Sequence, residues 1–400
     1  MVDYQTKAGR NMKRAMVFGA GNIGRGLVGR ILYEGGYATT FVDVNLNLVE
    51  SLNQEASYPV YVTIDEKYSK VTIEKVSALD GRDIDAIGDF ALDIEVIATA
   101  VGVNAIKYII PIIAKIIKTK YEKKPEGFCN FILCENMIDV HQYVRDLLKE
   151  HLTLEENIFC DSHIGFCQSS IGCMVPAPPE HLLKEDPLAI AVEDYNKIYT
   201  DKEGIRGEME EIQNIIAYSP FSYYINRKLF MHNMSHCLCA YHGFKKGYKY
   251  ISQAIEDEEI RDKVYASLKE TGQALFLAYN IDISEIEDHA QDLINRYGNK
   301  LLGDTVERVG QDPKRKLQRN DRLIGAALFC LEQKIKPTNI IETIPLAFSF
   351  DMEKDPSSKE TSTYYKEEGI EKALEKYCQL NPKDLLFDLI VKADKNIRRG

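Results

Sequence analysis

Ala15-Met16-Val17-Phe18-Gly19-Ala20-Gly21-Asn22-Ile23-Gly24-Arg25-Gly26 sets a G-x-G-x-x-G turn directly behind an apolar run and ahead of Leu27, Val28, Ile31 and Leu32. Strand, turn and helix in that order are where a dinucleotide fingerprint belongs: two glycines allow a tight turn and close approach of a pyrophosphate, and a third lets helix pack on strand. Backbone N–H groups at the helix start would face the phosphates, with Gly19, Gly21, Asn22, Ile23 and Gly24 as the lining. Asp43 ends the run Thr39-Thr40-Phe41-Val42 at about the spacing expected of a carboxylate that takes the adenine ribose hydroxyls. A carboxylate there repels a 2′-phosphate, which favours NAD over NADP. A tight turn followed by a surface aspartate is the plainer alternative.

Outward from this turn, residues 14–18, 38–43, 94–99 and 128–134 read as strands alternating with helical segments, the pattern of a parallel sheet flanked by helices. The runs 58–64 and 70–76, joined through Asp65, Glu66, Lys67, Tyr68 and Ser69, predict a hairpin overhanging that domain. Pro176-Ala177-Pro178-Pro179 breaks regular structure, and 188–199 predicts one further strand or two. Thr99, Ala100, Val101 and Gly102 end a strand and are candidates to lie near a nicotinamide, although an ordinary strand-to-helix turn fits equally. Beyond about 205, segments 226–241, 258–279, 284–296, 320–333 and 366–378 carry apolar residues at helical spacing. The expected fold is therefore α/β, with a Rossmann-type doubly wound sheet domain over 12–205 and a mainly α-helical domain over 206–400.

With 400 residues, two cores are the natural expectation. A net charge of −11 speaks against nucleic acid or an anionic membrane as partner, and no window is apolar enough to span a bilayer. Met1 to Asn11 are polar and lack a secretory pattern, and Met12 is a candidate natural start. Nine cysteines without a CxxC pair point to a reducing cytoplasm rather than a disulfide framework.

Lys228, Asn233 and His236 form a K-x4-N-x2-H array. On an α-helix His236 would lie roughly 80° and Asn233 roughly 140° around from Lys228, so one concave surface could see all three. Oxidising a secondary alcohol requires removal of its proton as hydride leaves, and a lysine serves if burial or a helix N-terminus lowers its pKa. An amide N–H from Asn233 could stabilise the oxygen's negative charge, and His236 could orient substrate or lysine. A solvated lysine, a back-bonded asparagine and a core histidine fit the spacing too. His232 and His236 stand at i, i+4, but no HExxH glutamate or third ligand accompanies them, so no metal is expected.

These residues resemble the polyol-specific long-chain dehydrogenase (mannitol dehydrogenase) family. The likeness runs from about Met12 to beyond residue 350, and is carried by Phe18 to Gly26, Cys134-Glu135-Asn136-Met137, Arg227-Lys228-Leu229-Phe230 with Asn233 and His236, Asp304 to Gly310, Asp312-Pro313, Arg315-Lys316-Leu317 and Asp321-Arg322-Leu323. The resemblance implies a Rossmann-type and a helical domain, a catalytic site in the cleft between them, Lys228 as acid/base, and Asn136 joining Asn233 on the reacting oxygen with His236 assisting. Asn22-Ile23-Gly24-Arg25-Gly26 inclines it toward the branch acting on a phosphorylated hexitol. The implied reaction is NAD-dependent, metal-free interconversion of D-mannitol 1-phosphate and D-fructose 6-phosphate. Arg308, Arg315, Lys316 and Arg322 are the cations available to a phosphate, and a solvated helix face is the alternative. Where relatives commonly place Asp-Arg before Ile-Val-Pro, this chain has Cys173-Met174 before Val175-Pro176, which bears on the sugar phosphate chosen. Rival readings are a family member acting on an unphosphorylated polyol or a hexuronate, and a non-catalytic NAD-binding sensor. A monomer or small homo-oligomer is expected, and residues 350–400 carry no assignment.

Overall fold

The computed structural model describes residues 13–64 and 67–398, so the polar leader, the candidate start at Met12, and Asp65-Glu66 of the hairpin connection lie outside the described residues. The chain falls into two compact units, the first ending at Phe221 and the second beginning at Ser222.

Eleven strands are described in the first unit: β1 (Lys13–Phe18), β2 (Tyr37–Asp43), β3 (Ser57–Ile64), β4 (Lys67–Glu74), β5 (Val76–Asp80), β6 (Val96–Thr99), β7 (Cys129–Leu133), β8 (Ile164–Ile171), β9 (Ile190–Glu193), β10 (Ile198–Asp201) and β11 (Ile215–Tyr218). Eight of them form one sheet in the order β11-β10-β8-β7-β6-β1-β2-β5, parallel throughout except where β10 meets β8. The β1 side chains explain why this sheet is covered on both faces. Ala15 and Val17 join one buried cluster with Leu27, Ile31 and Phe41, while Met16 and Phe18 join another with Ile97, Ile113 and Phe131. Alternation sends successive residues to opposite faces, so a strand apolar at every position needs helices on both sides.

The chain runs outward from β1 to β2 and β5 on one side and through β6, β7 and β8 on the other. The order therefore reverses between β1 and β6, and in open α/β sheets ligands bind beyond the carboxyl ends of the strands at such a point.

The hairpin forms as β3 and β4, antiparallel over Ser57 to Glu74. Val76 is not its last residue. Lys75 takes a left-handed φ of 59°, and Val76 to Asp80 then pairs with β2 in the large sheet. The segment 188–199 supplies two strands in different sheets: β9 adds to β3, and β10 adds to β8. The first unit extends past the expected division near 205 because β11 pairs with β10.

The second unit is helical. A continuous run comprises Ser222–Asn226, a π segment Arg227–Asn233, and Met234–Lys246, with every residue from Cys237 to Gly243 buried. Around it stand Glu258–Tyr279, Ile283–Tyr297, Ile324–Glu332, Thr338–Ser349, Pro356–Cys378 and Leu385–Ile397. The segment expected over 366–378 is the second half of Pro356–Cys378, which breaks at Gly369 with φ 81°. Among the described residues no helix is long and apolar enough to cross a membrane.

Candidate active site

Gly19 has φ +93°, and a Cβ there would lie 2.6 Å from the Ala100 carbonyl oxygen. A Cβ on Gly24 would lie 1.9 Å from the Gly19 carbonyl oxygen. Both positions are closed to any side chain, the first by conformation and contact and the second by contact alone. Gly21 is different: a Cβ there meets nothing within 4 Å. Its glycine leaves an open approach to the backbone, which is what a pyrophosphate needs. The helix after the turn passes through a π segment, Gly24–Gly29, before continuing as Arg30–Glu34.

Asp43 is tied to this turn. Ala20 N donates to its Oδ2 at 2.8 Å and Asn45 N to its Oδ1 at 2.9 Å. A carboxylate offers about four lone-pair sites, so two remain for ribose hydroxyls. Arg25 is buried; its Nε donates to Ala20 O at 2.7 Å and Nη1 to Leu188 O at 2.5 Å, while Tyr58 of β3 donates to the Arg25 carbonyl at 2.8 Å. The fingerprint arginine therefore clasps the turn to the hairpin sheet.

Across the reversal point, Ala100 N donates to Phe18 O at 2.7 Å, which sets the turn after β6 against the turn after β1. Thr99 is buried and its hydroxyl donates to Glu135 Oε2 at 2.6 Å, while Val101 N donates to Glu135 Oε1 at 3.1 Å. Burial raises the Glu135 carboxyl above its ordinary range, against the pull of these donors. Asn136, the next residue, is exposed. The side chain of Thr99 is thus committed to the protein, and its carbonyl accepts from Cys134 N at 3.0 Å.

Lys228, Asn233 and His236 all lie on the continuous helical run, with Lys228 and Asn233 inside the π segment. The i→i+5 bonding there widens the turn. Asn233, five places on, returns closer to the side of Lys228 than the roughly 140° of an α-helix allows. Lys228 is partly buried and sits in the second turn rather than at the cap, where the helix dipole has largely faded. Burial drives His232 well below its ordinary range, with Arg296, His236, His289 and Lys228 adding to the effect, so His232 is a neutral core residue. Arg227 is buried over the Tyr224 ring and lies 3.3 Å from Glu285.

His236 Nε2 stands 3.0 Å from Asp304 Oδ2, and the ring stacks on Tyr297 at 4.7 Å between centroids and 7° between planes. Burial lowers the His236 pKa even with Asp304 opposing it. The Asp304 carboxyl is lowered too, since His236 and Arg308 outweigh the effect of burial.

The basic cluster divides in two. Arg308 is 61 % exposed and paired with Asp304, and Arg315 is 47 % exposed and paired with Asp312 at 3.0 Å. Lys316 is buried, and Arg322 is largely so, with 12 % of its side chain exposed. Lys316 donates to the Gln311 carbonyl, and burial with Arg322 close by lowers its amine to about 8. Asp321, 2.8 Å from Arg322, keeps that guanidinium's pKa raised although burial opposes it. Both cations act on the thiol of Cys237, the residue after His236. An anion approaching them would add a charge-assisted bond to those they already make.

Three residues that matter here were not singled out from the sequence. Glu135 was visible only as part of a motif, because burial decides its role. Tyr297 gave no signal. Asp304 did: it precedes Arg308 by four residues, as Asp312 precedes Arg315 by three, and such spacing on a helix marks internal ion pairs.

Comparison with known proteins gives matches along nearly the whole chain. The family model described as the mannitol dehydrogenase Rossmann domain matches residues 13–214, and that of the mannitol dehydrogenase C-terminal domain matches 221–391. The chain is 34 % identical over 380 residues to the mannitol-1-phosphate 5-dehydrogenase of Bacillus subtilis (strain 168), covering 94 % of this chain and 98 % of that one. The enzyme of the same name from Buchnera aphidicola subsp. Acyrthosiphon pisum (strain APS) is 32 % identical over 367 residues, covering 92 % and 94 %. Among solved structures, a substrate-free D-sorbitol dehydrogenase superposes with TM-score 0.77 at 16 % identity, covering 96 % of this chain and 93 % of that one. Pseudomonas fluorescens mannitol 2-dehydrogenase, in a ternary complex with NAD and D-mannitol, superposes with TM-score 0.70 at 13 % identity, covering 96 % and 92 %. The two structures share the fold, and the sequence relatives and domain matches place this chain in the mannitol dehydrogenase family.

Proposed function

We propose that this protein is an NAD-dependent oxidoreductase interconverting D-mannitol 1-phosphate and D-fructose 6-phosphate. The observation that carries the reading is the 34 % identity to a mannitol-1-phosphate 5-dehydrogenase over 94 % of the chain. NAD fits the turn: the open approach at Gly21 suits a pyrophosphate, and Asp43, held by Ala20 and Asn45, suits the ribose. The backbone of Thr99 is proposed to border the nicotinamide.

When bound, the reduced cofactor supplies a hydride to the ketose carbonyl carbon. Lys228 Nζ gives a proton to the developing alkoxide in that direction and removes it from the alcohol in the other. Asn233 places an amide N–H on the same oxygen, with Asn136 as a second amide donor, and lowers the cost of its negative charge. His236 orients a substrate hydroxyl. Lys316 and Arg322 hold the phosphate, with Arg308 and Arg315 nearer the solvent. A cytoplasmic monomer or small homo-oligomer that binds neither nucleic acid nor membrane completes the reading.

Following NADH absorbance with fructose 6-phosphate, fructose and a hexuronate tests it. Oxidation of NADH with fructose 6-phosphate alone is the expected result. Turnover of fructose or the hexuronate instead would move the protein to another branch. Tight NADH binding without turnover of any of the three would make it a sensor.

A further inference from the structure

We propose that Asp304 is a positioning residue for His236, holding the imidazole as its Nε2–H tautomer and leaving Nδ1 as the acceptor for a substrate hydroxyl. The claim about Nδ1 rests on the function proposed above; the claim about the tautomer does not.

Nε2 and Oδ2 face each other at 3.0 Å, both buried, in an arrangement too bent to form a regular hydrogen bond, and among the described residues neither has another hydrogen-bond partner. A carboxylate oxygen only accepts. Two lone pairs buried at that distance would repel, so the proton must sit on Nε2. The carboxylate cannot turn away, because Arg308 grips Oδ1 at 2.6 Å. The ring cannot tilt, because it stacks on Tyr297, whose hydroxyl donates to the His232 carbonyl at 2.9 Å and lies 2.9 Å from Ser235 Oγ. Asp304 is fixed in the backbone as well, its carbonyl accepting from Ile251 N at 2.9 Å.

Burial opposes an imidazolium here. A neutral ring with its proton on Nε2 has a lone pair on Nδ1, and among the described residues nothing donates to that atom. One ring nitrogen's partner sets the task of the other. Arg308 then acts on His236 through Asp304.

The test is an Asp304→Asn variant. Arg308 can only donate, so the new amide must turn its oxygen to Arg308 and its NH2 to Nε2, which forces the proton onto Nδ1. Protein labelled with 15N-histidine is examined by long-range proton–nitrogen correlation at about pH 7.5, above the ordinary imidazole pKa, with His236→Gln assigning the signal. The wild type should show a protonated Nε2 and a bare Nδ1, and the variant the reverse. With the melting temperature held, kcat for fructose 6-phosphate should fall roughly 10–100-fold in the variant, as for other partners that orient a working imidazole.

An imidazolium or an Nδ1–H ring in the wild type overturns the proposal, even if the variant fails to fold. So does a variant that keeps both tautomer and kcat. A reversed tautomer with unchanged kcat overturns the assignment of Nδ1 to substrate. If wild-type protein turns over no fructose 6-phosphate, the proposed function fails while the tautomer measurement still decides the role of Asp304.

Discussion

Between Lys228 and Asn233 lie the bonds of a π segment, a distortion that recurs at functional sites and that apolar periodicity does not reveal. The array was legible as residue types at a spacing, whereas its geometry was not, since the α-helical projection places Asn233 too far round. Replacing Lys228 by Ala should lower kcat for fructose 6-phosphate roughly 10²–10⁴-fold, the usual worth of a general acid. NADH affinity, measured by fluorescence titration, should stay within about threefold, because the fingerprint turn belongs to the other compact unit. A parallel loss of NADH binding would show that Lys228 supports the fold instead. The buried amine of Lys316 gives a second test. An unfolded lysine keeps its proton to an ordinary pKa of 10.5 and this one only to about 8. In that window the unfolded chain binds more protons, so stability contributed by Lys316 rises with pH, while its grip on a phosphate weakens. The expected kcat/KM for fructose 6-phosphate falls above pH about 8, and in Lys316→Arg the fall moves to higher pH. An unmoved limb would assign the titration to another group. Composition alone could not separate Lys316 and Arg322 from Arg308 and Arg315, because burial of the first pair is a tertiary fact.

At the scale of elements, the strand-turn-helix unit around Gly19 was readable because its signals are local. The hairpin was readable too, down to its antiparallel strands. The separation of β4 from β5 was not, since it depends on Lys75 entering a left-handed conformation that lysine seldom adopts. Nor could 188–199 be divided, because β9 and β10 look alike in sequence and differ only in the sheet each joins. Two of the fingerprint glycines make separable predictions. Gly24→Ala should lower unfolding stability by more than about 1 kcal/mol in urea titration, since its methyl meets the Gly19 carbonyl. Gly21→Ala should leave that stability nearly unchanged and weaken NADH binding at least about tenfold, since its methyl enters only the open approach. Equal effects in both assays for both variants would remove the distinction between a packing glycine and a binding glycine.

For the whole molecule, the division into a sheet unit and a helical unit followed from the change of periodicity, and the doubly wound topology from alternating apolar runs. The position of the division did not, because β11 follows an irregular stretch and is short and only partly buried. The proposed mechanism, carried by an amine, amides and an imidazole, makes a prediction about the intact enzyme: exhaustive treatment with EDTA should leave the rate of fructose 6-phosphate reduction unchanged within about 10 %. A loss restored by added zinc would reassign the proton transfer to a metal-bound oxygen.

Arg25 joins three pieces of chain that are distant in sequence: its own turn through Ala20, the segment before β9 through Leu188, and β3 through Tyr58. Anyone wishing to re-engineer the coenzyme preference by transplanting a loop from another dehydrogenase would cut the two guanidinium ties at once, while the Tyr58 bond, made to a main-chain carbonyl, asks for no particular side chain. The donor loop would have to arrive with its own arginine, or the segment before β9 would lose its hold on the turn.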